Sequence, residues 1–281
     1  MPGVTYDRPM GEGGSLELVT LASDELVATV MPGAGARLHS VAAFGTDVLR
    51  TPGDPATHFD DPFFWGAYHM VPWCNRIDTG PVGALQRRMA LESNFPDGTA
   101  IHGRHYVAPW QPAGDGAFTT SGGGDDTGWP WTYTARITYT VEGPALSIAY
   151  ALTNTADDPM PAGVGFHPWF VTADRVQIPS ASVFPDNTDT APRPEPVTGV
   201  LDLREGAPLT VGVDASWVDL DRPDVTLDWN ALGLRMVLRC DRTDVVVPAA
   251  NLAGTDATAV EMQTHAPGGI RRLLDDEPYA L

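Results

Sequence analysis

Gly163-Val164-Gly165-Phe166-His167-Pro168-Trp169-Phe170 is the stretch on which the reading of this chain turns. Taken as a strand, it sends successive side chains to opposite faces. One face carries Val164, Phe166, Pro168 and Phe170, an apolar set suited to a core. The other carries Gly163, Gly165, His167 and Trp169: two absent side chains, an imidazole and an indole. Glycine weakens a strand but lets another group approach the backbone closely. Pro168 biases His167 toward an extended backbone, which aims the ring. Two readings stand, a small-molecule site with room above the imidazole, or a structural histidine buried beside a core tryptophan.

The flanking sequence is all-β in character. Sustained helical periodicity is absent, and short alternating segments bounded by Gly, Pro, Asp and Asn recur. Residues 15–21 and 25–31 read as paired strands, and residues 37–44 as another. The clearest hairpin joins residues 131–141 to 145–154 through Glu142-Gly143-Pro144. Further strands are expected at 216–220, 225–229, 234–239, 245–247 and 257–264. Residues 51–70, rich in Pro, Asp and aromatics, read as a long loop with little regular structure, a kind that is often functional. Residues 114–128 read as a Gly/Asp/Thr-rich surface connection. With no repeat and no break in composition, residues 1–281 are expected to form one domain, a large two-layer antiparallel β-sandwich.

Composition narrows the function. Lys+Arg 17 against Asp+Glu 36 gives a formal net charge of -19, and no lysine occurs. Such a surface repels phosphate backbones, which excludes nucleic acid as an expected partner. Cys74 and Cys240 fit no metal or redox spacing, and the histidines show no ligand spacing, so neither metal nor cofactor is expected. No signal peptide or membrane-length apolar run is visible, and a cytoplasmic protein is the expectation.

Several other stretches pair polar chemistry with a buried-looking strand. Glu261 and Gln263 share the polar face of residues 259–265, whose other face carries Val260, Met262 and Thr264. The alternative for Glu261 is a solvated edge-strand carboxylate. His102 shares a face with Arg104 and Tyr106, and His105 points the other way. Asn75-Arg76 follows the long loop, where arginine offers a rigid fork of donors for hydroxyls, or an ordinary surface ion pair. Trp217, Asp219 and Asp221 share a face, and rings beside carboxylates suit sugars, whose C–H faces stack while their hydroxyls need acceptors.

Taken together, these motifs resemble the aldose 1-epimerase family, galactose mutarotase-like β-sandwich enzymes. The resemblance rests on Asn75-Arg76-Ile77 with Gly80, on Ile101-His102-Gly103 with Trp110, on Gly165-Phe166-His167-Pro168-Trp169-Phe170 after Pro159-Met160-Pro161, and on Glu261-Met262-Gln263-Thr264 with Ala266-Pro267. They occur in the family's order and span nearly the whole chain. The resemblance implies a supersandwich with a monosaccharide across one concave sheet. It also implies His167 as general acid, Glu261 as general base, and Asn75, Arg76, His102, Asp219 and Gln263 holding the sugar. Arg104 and His105 depart from the Gly and Phe that many members carry after the His-Gly pair.

The implied reaction interconverts α and β anomers of a hexose by opening and reclosing the ring. An acid protonates the ring oxygen while a base takes the anomeric hydroxyl proton. A hexose-6-phosphate epimerase would need a basic pocket, for which Arg87, Arg88 and Arg104 are the clustered candidates. A sugar-binding protein without turnover, and a glycoside hydrolase using Glu261 and Asp219, are the remaining alternatives.

Overall fold

A computed structural model describes residues 16–189 and 193–281. A 12-stranded sheet forms one layer. Against it pack a four-stranded sheet, built on the Trp129–Glu142 and Ala145–Asn154 hairpin, and a three-stranded one that includes Asp224–Trp229 and Leu234–Arg239. The expected antiparallel two-layer sandwich is therefore present. The first predicted pair is seen as Val19–Ala22 against Leu26–Met31, with Ser15 outside the described residues. No helix among the described residues is long and apolar enough to cross a membrane.

The histidine stretch becomes the strand Gly165–Val171, in the middle of the large sheet. It lies between Ala67–Met70 on one side and Ala257–Val260 with Met262–Gln263 on the other. Its alternation is as read. Phe166 and Phe170 pack into the main core between the layers, together with Ile137, Trp217, Leu227 and Val260. Trp169 faces away from that core, into a small cluster with Ala250, Ala257 and Ala259. The outward face of the sheet thus carries the polar set, and the site is built there.

Two segments differ from their reading. Residues 51–70 contain a short helix, Thr57–Asp60, and end in the strand Ala67–Met70. All four residues of that strand are buried. A strand covered on both faces shows no polar alternation to read. Within residues 114–128, Ala117–Gly124 is a full strand paired with the long hairpin arm. A Cβ at its Gly122 would lie 2.6 Å from His105 Nε2. That glycine marks close packing rather than a surface turn.

Candidate active site

Strand pairing brings His167 and Glu261 together across nearly a hundred residues of chain. The pairs Trp169↔Ala259 and Gly165↔Gln263 bracket them on adjacent strands. His167 Nε2 lies 3.2 Å from Glu261 Oε1, with both side chains buried. Gln263 Nε2 donates to the other carboxylate oxygen at 2.6 Å. The solvated-carboxylate alternative for Glu261 therefore fails: its residue is 5% exposed.

Asn75, Arg76 and His102 form one interlocked unit beside this pair. His102 N–H donates to the Asn75 carbonyl at 3.1 Å, and Asn75 N–H donates to His102 Nδ1 at 3.2 Å. The second bond requires an unprotonated Nδ1, which leaves the neutral ring's proton on Nε2. Asn75 has φ +49°, a left-handed conformation that asparagine tolerates, and its Oδ1 accepts the Arg76 N–H. Arg76 donates to Asp97 Oδ2 at 2.7 Å and to the Asn187 carbonyl at 3.0 Å. The His102 ring meets His167 edge-on, with centroids 5.1 Å apart.

Burial governs the electrostatics. It pushes the His167 imidazole down to about 3, a fall that the Arg37 charge assists. It pushes Glu261 well above the usual carboxylate range, with Asp214 adding to the rise and the Gln263 hydrogen bond and Arg76 opposing it. His102 is driven well below its ordinary value by burial and by His167 and Arg76. Desolvation thus disfavours the charged form of both partners and favours a neutral imidazole beside a protonated carboxyl over the ion pair.

Asp219 is the predicted site residue that is not brought to this cluster. It is exposed, has φ +54°, and accepts a hydrogen bond from the Tyr279 hydroxyl. It lines a separate surface groove with Tyr150 and Arg242. Trp217, read beside it as a sugar platform, is fully buried in the inter-layer core. The acid that does approach the site is Asp214, at the other end of the same strand, Asp214–Leu220. Asn187 Nδ2 donates to Asp214 Oδ1 and Ser216 Oγ to Asn187 Oδ1, each at 2.6 Å. Asp214 and Ser216 alternate with Ala215 and Trp217, so the period-two pattern held this signal once Trp217 was assigned to the core.

The glycines of the histidine strand also have a different use from the one read. A Cβ on Gly165 would meet Met70 Cε at 2.6 Å and Cys74 Sγ at 2.7 Å, and one on Gly163 would meet His265 Cδ2 at 2.4 Å. Protein side chains fill that space. His265 accepts the Cys74 N–H at 2.8 Å and bonds the Ala266 carbonyl through Nδ1 at 2.8 Å, which anchors the loop leading to Arg76. Trp169 is buried and donates to the Phe63 carbonyl at 2.5 Å. Arg104 donates to the Thr127 carbonyl and Arg87 to Asp158 and the Pro130 carbonyl, while Arg88 is exposed. These arginines do not form a basic pocket around His167.

Sequence reasoning missed Tyr68, which stacks on His167 with centroids 4.6 Å apart and 26° between the rings. Its hydroxyl is buried and has no hydrogen-bond partner among the described residues, and the same holds for Gln263 Oε1. Both lie beside the His167–Glu261 pair, where a ligand rich in hydroxyls would satisfy them.

Comparison with known proteins bears on the fold and the family. The family model for aldose 1-epimerase matches residues 17–263. A putative aldose 1-epimerase from Escherichia coli K12 is similar, with TM-score 0.78 and 18% identity over 90% of this chain and 89% of that one. An aldose epimerase homologue from C. elegans gives TM-score 0.75 at 18% identity, covering 89% of this chain and 90% of the other. A galactose 1-epimerase from Lactobacillus acidophilus NCFM gives 0.72 at 17% identity, covering 96% and 92%. At such identities these likenesses bear on the fold. No match was found among curated proteins. The family model's coverage settles the matter of kinship: the chain belongs to the aldose 1-epimerase family.

Proposed function

We propose that this protein is a mutarotase that interconverts the α and β anomers of a hexose. The observation that carries the reading is the buried contact between His167 Nε2 and Glu261 Oε1, bordered by unpartnered polar atoms on Tyr68 and Gln263. Glu261 takes the proton from the anomeric hydroxyl while His167 gives one to the ring oxygen. The C1–O5 bond breaks, and the open aldehyde rotates about C1–C2. Reclosure returns the proton from O5 to His167, and Glu261 protonates the new anomeric oxygen.

The tautomer that reacts is imidazolium and carboxylate, and ring opening leaves imidazole and carboxylic acid. In water the first state is favoured, because histidine titrates near 6.5 and glutamate near 4.5. Burial moves both groups toward the second state and so lowers the cost of the transfer. Gln263 orients the carboxylate through its 2.6 Å bond. Arg76, Asn75 and His102, with its proton on Nε2, hold the sugar hydroxyls from the loop side. Asp214 accepts from the opposite side. The test is polarimetry on freshly dissolved α-glucose and α-galactose. Acceleration that disappears in Glu261→Gln supports the reading; sugar binding by calorimetry without acceleration would instead favour a non-catalytic sugar-binding protein.

A further inference from the structure

Tyr68, His167 and Glu261 stand in a row across the sheet, with Glu261 at the break between the strands Ala257–Val260 and Met262–Gln263. Tyr68 is the direct register partner of His167. The pairs that bracket His167 on its other side place it opposite Glu261. Register partners project to the same face of a sheet, and the stacked Tyr68 and His167 rings agree with that. A pyranose has its own row of atoms: anomeric hydroxyl, C1, ring oxygen, C5, C6. If Glu261 handles the anomeric hydroxyl and His167 the ring oxygen, C5 and its substituent lie beyond His167, on the Tyr68 side.

We infer that the Tyr68 hydroxyl hydrogen-bonds the C6 hydroxyl of the sugar and makes the enzyme selective for unphosphorylated hexoses that carry it. This rests on the mutarotase reading above. Tyr68 is fully buried, and its hydroxyl has no hydrogen-bond partner among the described residues. An orphaned buried hydroxyl costs stability, so one retained beside the His167–Glu261 pair calls for a ligand. Its surroundings suit a neutral partner. Phe63 and Tyr106 border the ring, with centroids 6.2 Å and 6.3 Å away. Arg37, whose guanidinium lies 5.3 Å from the ring centroid, donates to the Pro62 and Tyr106 carbonyls and bonds His58 Nδ1. A neutral phenol in an aromatic corner can satisfy a hydroxyl but would leave a phosphate dianion poorly solvated.

The test deletes the hydrogen bond from each side in turn. Mutarotation rates are measured for glucose and 6-deoxyglucose, with wild-type protein and with Tyr68→Phe. The wild type is expected to prefer glucose about 3- to 10-fold in kcat/KM, the size of one neutral hydrogen bond. Tyr68→Phe is expected to treat the two sugars alike, with a melting temperature equal to or above wild type, because the orphaned hydroxyl is gone. A wild type indifferent to the 6-hydroxyl, or a Tyr68→Phe protein that keeps the wild-type preference, overturns the assignment while leaving the mutarotase reading intact. A wild type that accelerates neither sugar nor any other aldose overturns both.

Discussion

His167 and Glu261 face each other with Nε2 and Oε1 3.2 Å apart, and burial penalises the charged form of each. Acid–base groups of this kind typically contribute roughly 10²–10⁴-fold each. His167→Asn and Glu261→Gln are each expected to lose that much in kcat. Stability should move the other way for Glu261→Gln. A carboxyl whose pKa is raised in the fold adds stability below its unfolded value of 4.5, and that contribution is lost as pH rises. The amide removes this penalty near pH 7, so thermal melting there should show an equal or higher midpoint. A large fall in both rate and melting temperature would mean that Glu261 is a structural group.

The Gln263 bond to Glu261 opposes the rise in the carboxyl pKa. Gln263→Leu is therefore expected to raise that pKa further and to leave the carboxylate less well oriented. A loss of about tenfold in kcat is expected, the scale of one hydrogen bond to a charged group. The pH–rate profile of kcat/KM distinguishes this from simple disruption. Removing the donor should move the ionisation assigned to the pair upward, whereas a merely loosened fold would lower the plateau without moving the limbs.

Much of this architecture was legible in the sequence because strand alternation is a local signal. Val164, Phe166 and Phe170 against His167 and Trp169 could be sorted by parity alone, and the structure keeps that sorting. Glu261 and Gln263 were found the same way. Pairing between distant strands is what parity cannot supply. Tyr68 belongs to a strand buried on both faces, so Ala67-Tyr68-His69-Met70 carried no alternation to read. Asp219 is read on one face with Trp217 in the sequence, and Asp214 does not enter that reading. The left-handed backbone at Asp219 breaks the strand's alternation at that residue. The glycines were read as space for a ligand, and only the packing of Met70, Cys74 and His265 shows what fills it.

The two aspartates offer a direct comparison. Asp214 is linked through Asn187 to the Arg76 side of the site and perturbs Glu261, while Asp219 is exposed and bonded to Tyr279. Asp214→Asn is expected to raise KM about tenfold or more, as loss of a hydrogen bond to a charged acceptor implies. Asp219→Asn should stay within about twofold of wild type, in line with the small effects of exposed substitutions. The reverse ranking would restore Asp219 as the sugar-binding acid.

Buried histidines set the acid limit of stability. Burial lowers His58 to about 2, His69 and His167 to about 3, and His105 and His265 to about 4, from 6.5 when unfolded. The unfolded chain therefore binds more protons than the folded one between these values and 6.5. Stability is full above pH 6.5 and is lost as pH falls below it, by about 1.4 kcal/mol per pH unit for each such histidine. Denaturant titrations between pH 7.5 and 5 should show this steep decline. A flat profile would mean that these rings titrate freely in the fold.

Gly103 ties the backbone to the chemistry more tightly than any other glycine near the site. It has φ +73°, and a Cβ there would lie 1.9 Å from the Val71 carbonyl oxygen, a backbone atom held by the Arg104 N–H. Gly143 is a useful contrast, because its φ is +55° but nothing lies within 4 Å of its Cβ position. Gly143→Ala should cost only the intrinsic left-handed penalty, about 1–2 kcal/mol. Gly103→Ala adds a clash that no side-chain rotation relieves, so the loop must shift and carry the adjacent His102 with it. The expected result is a larger loss of stability than in Gly143→Ala, together with a loss of activity that persists at temperatures where the variant remains folded. Equal effects of the two substitutions, measured by melting and by polarimetry, would show that the Val71–Gly103 contact does not position His102.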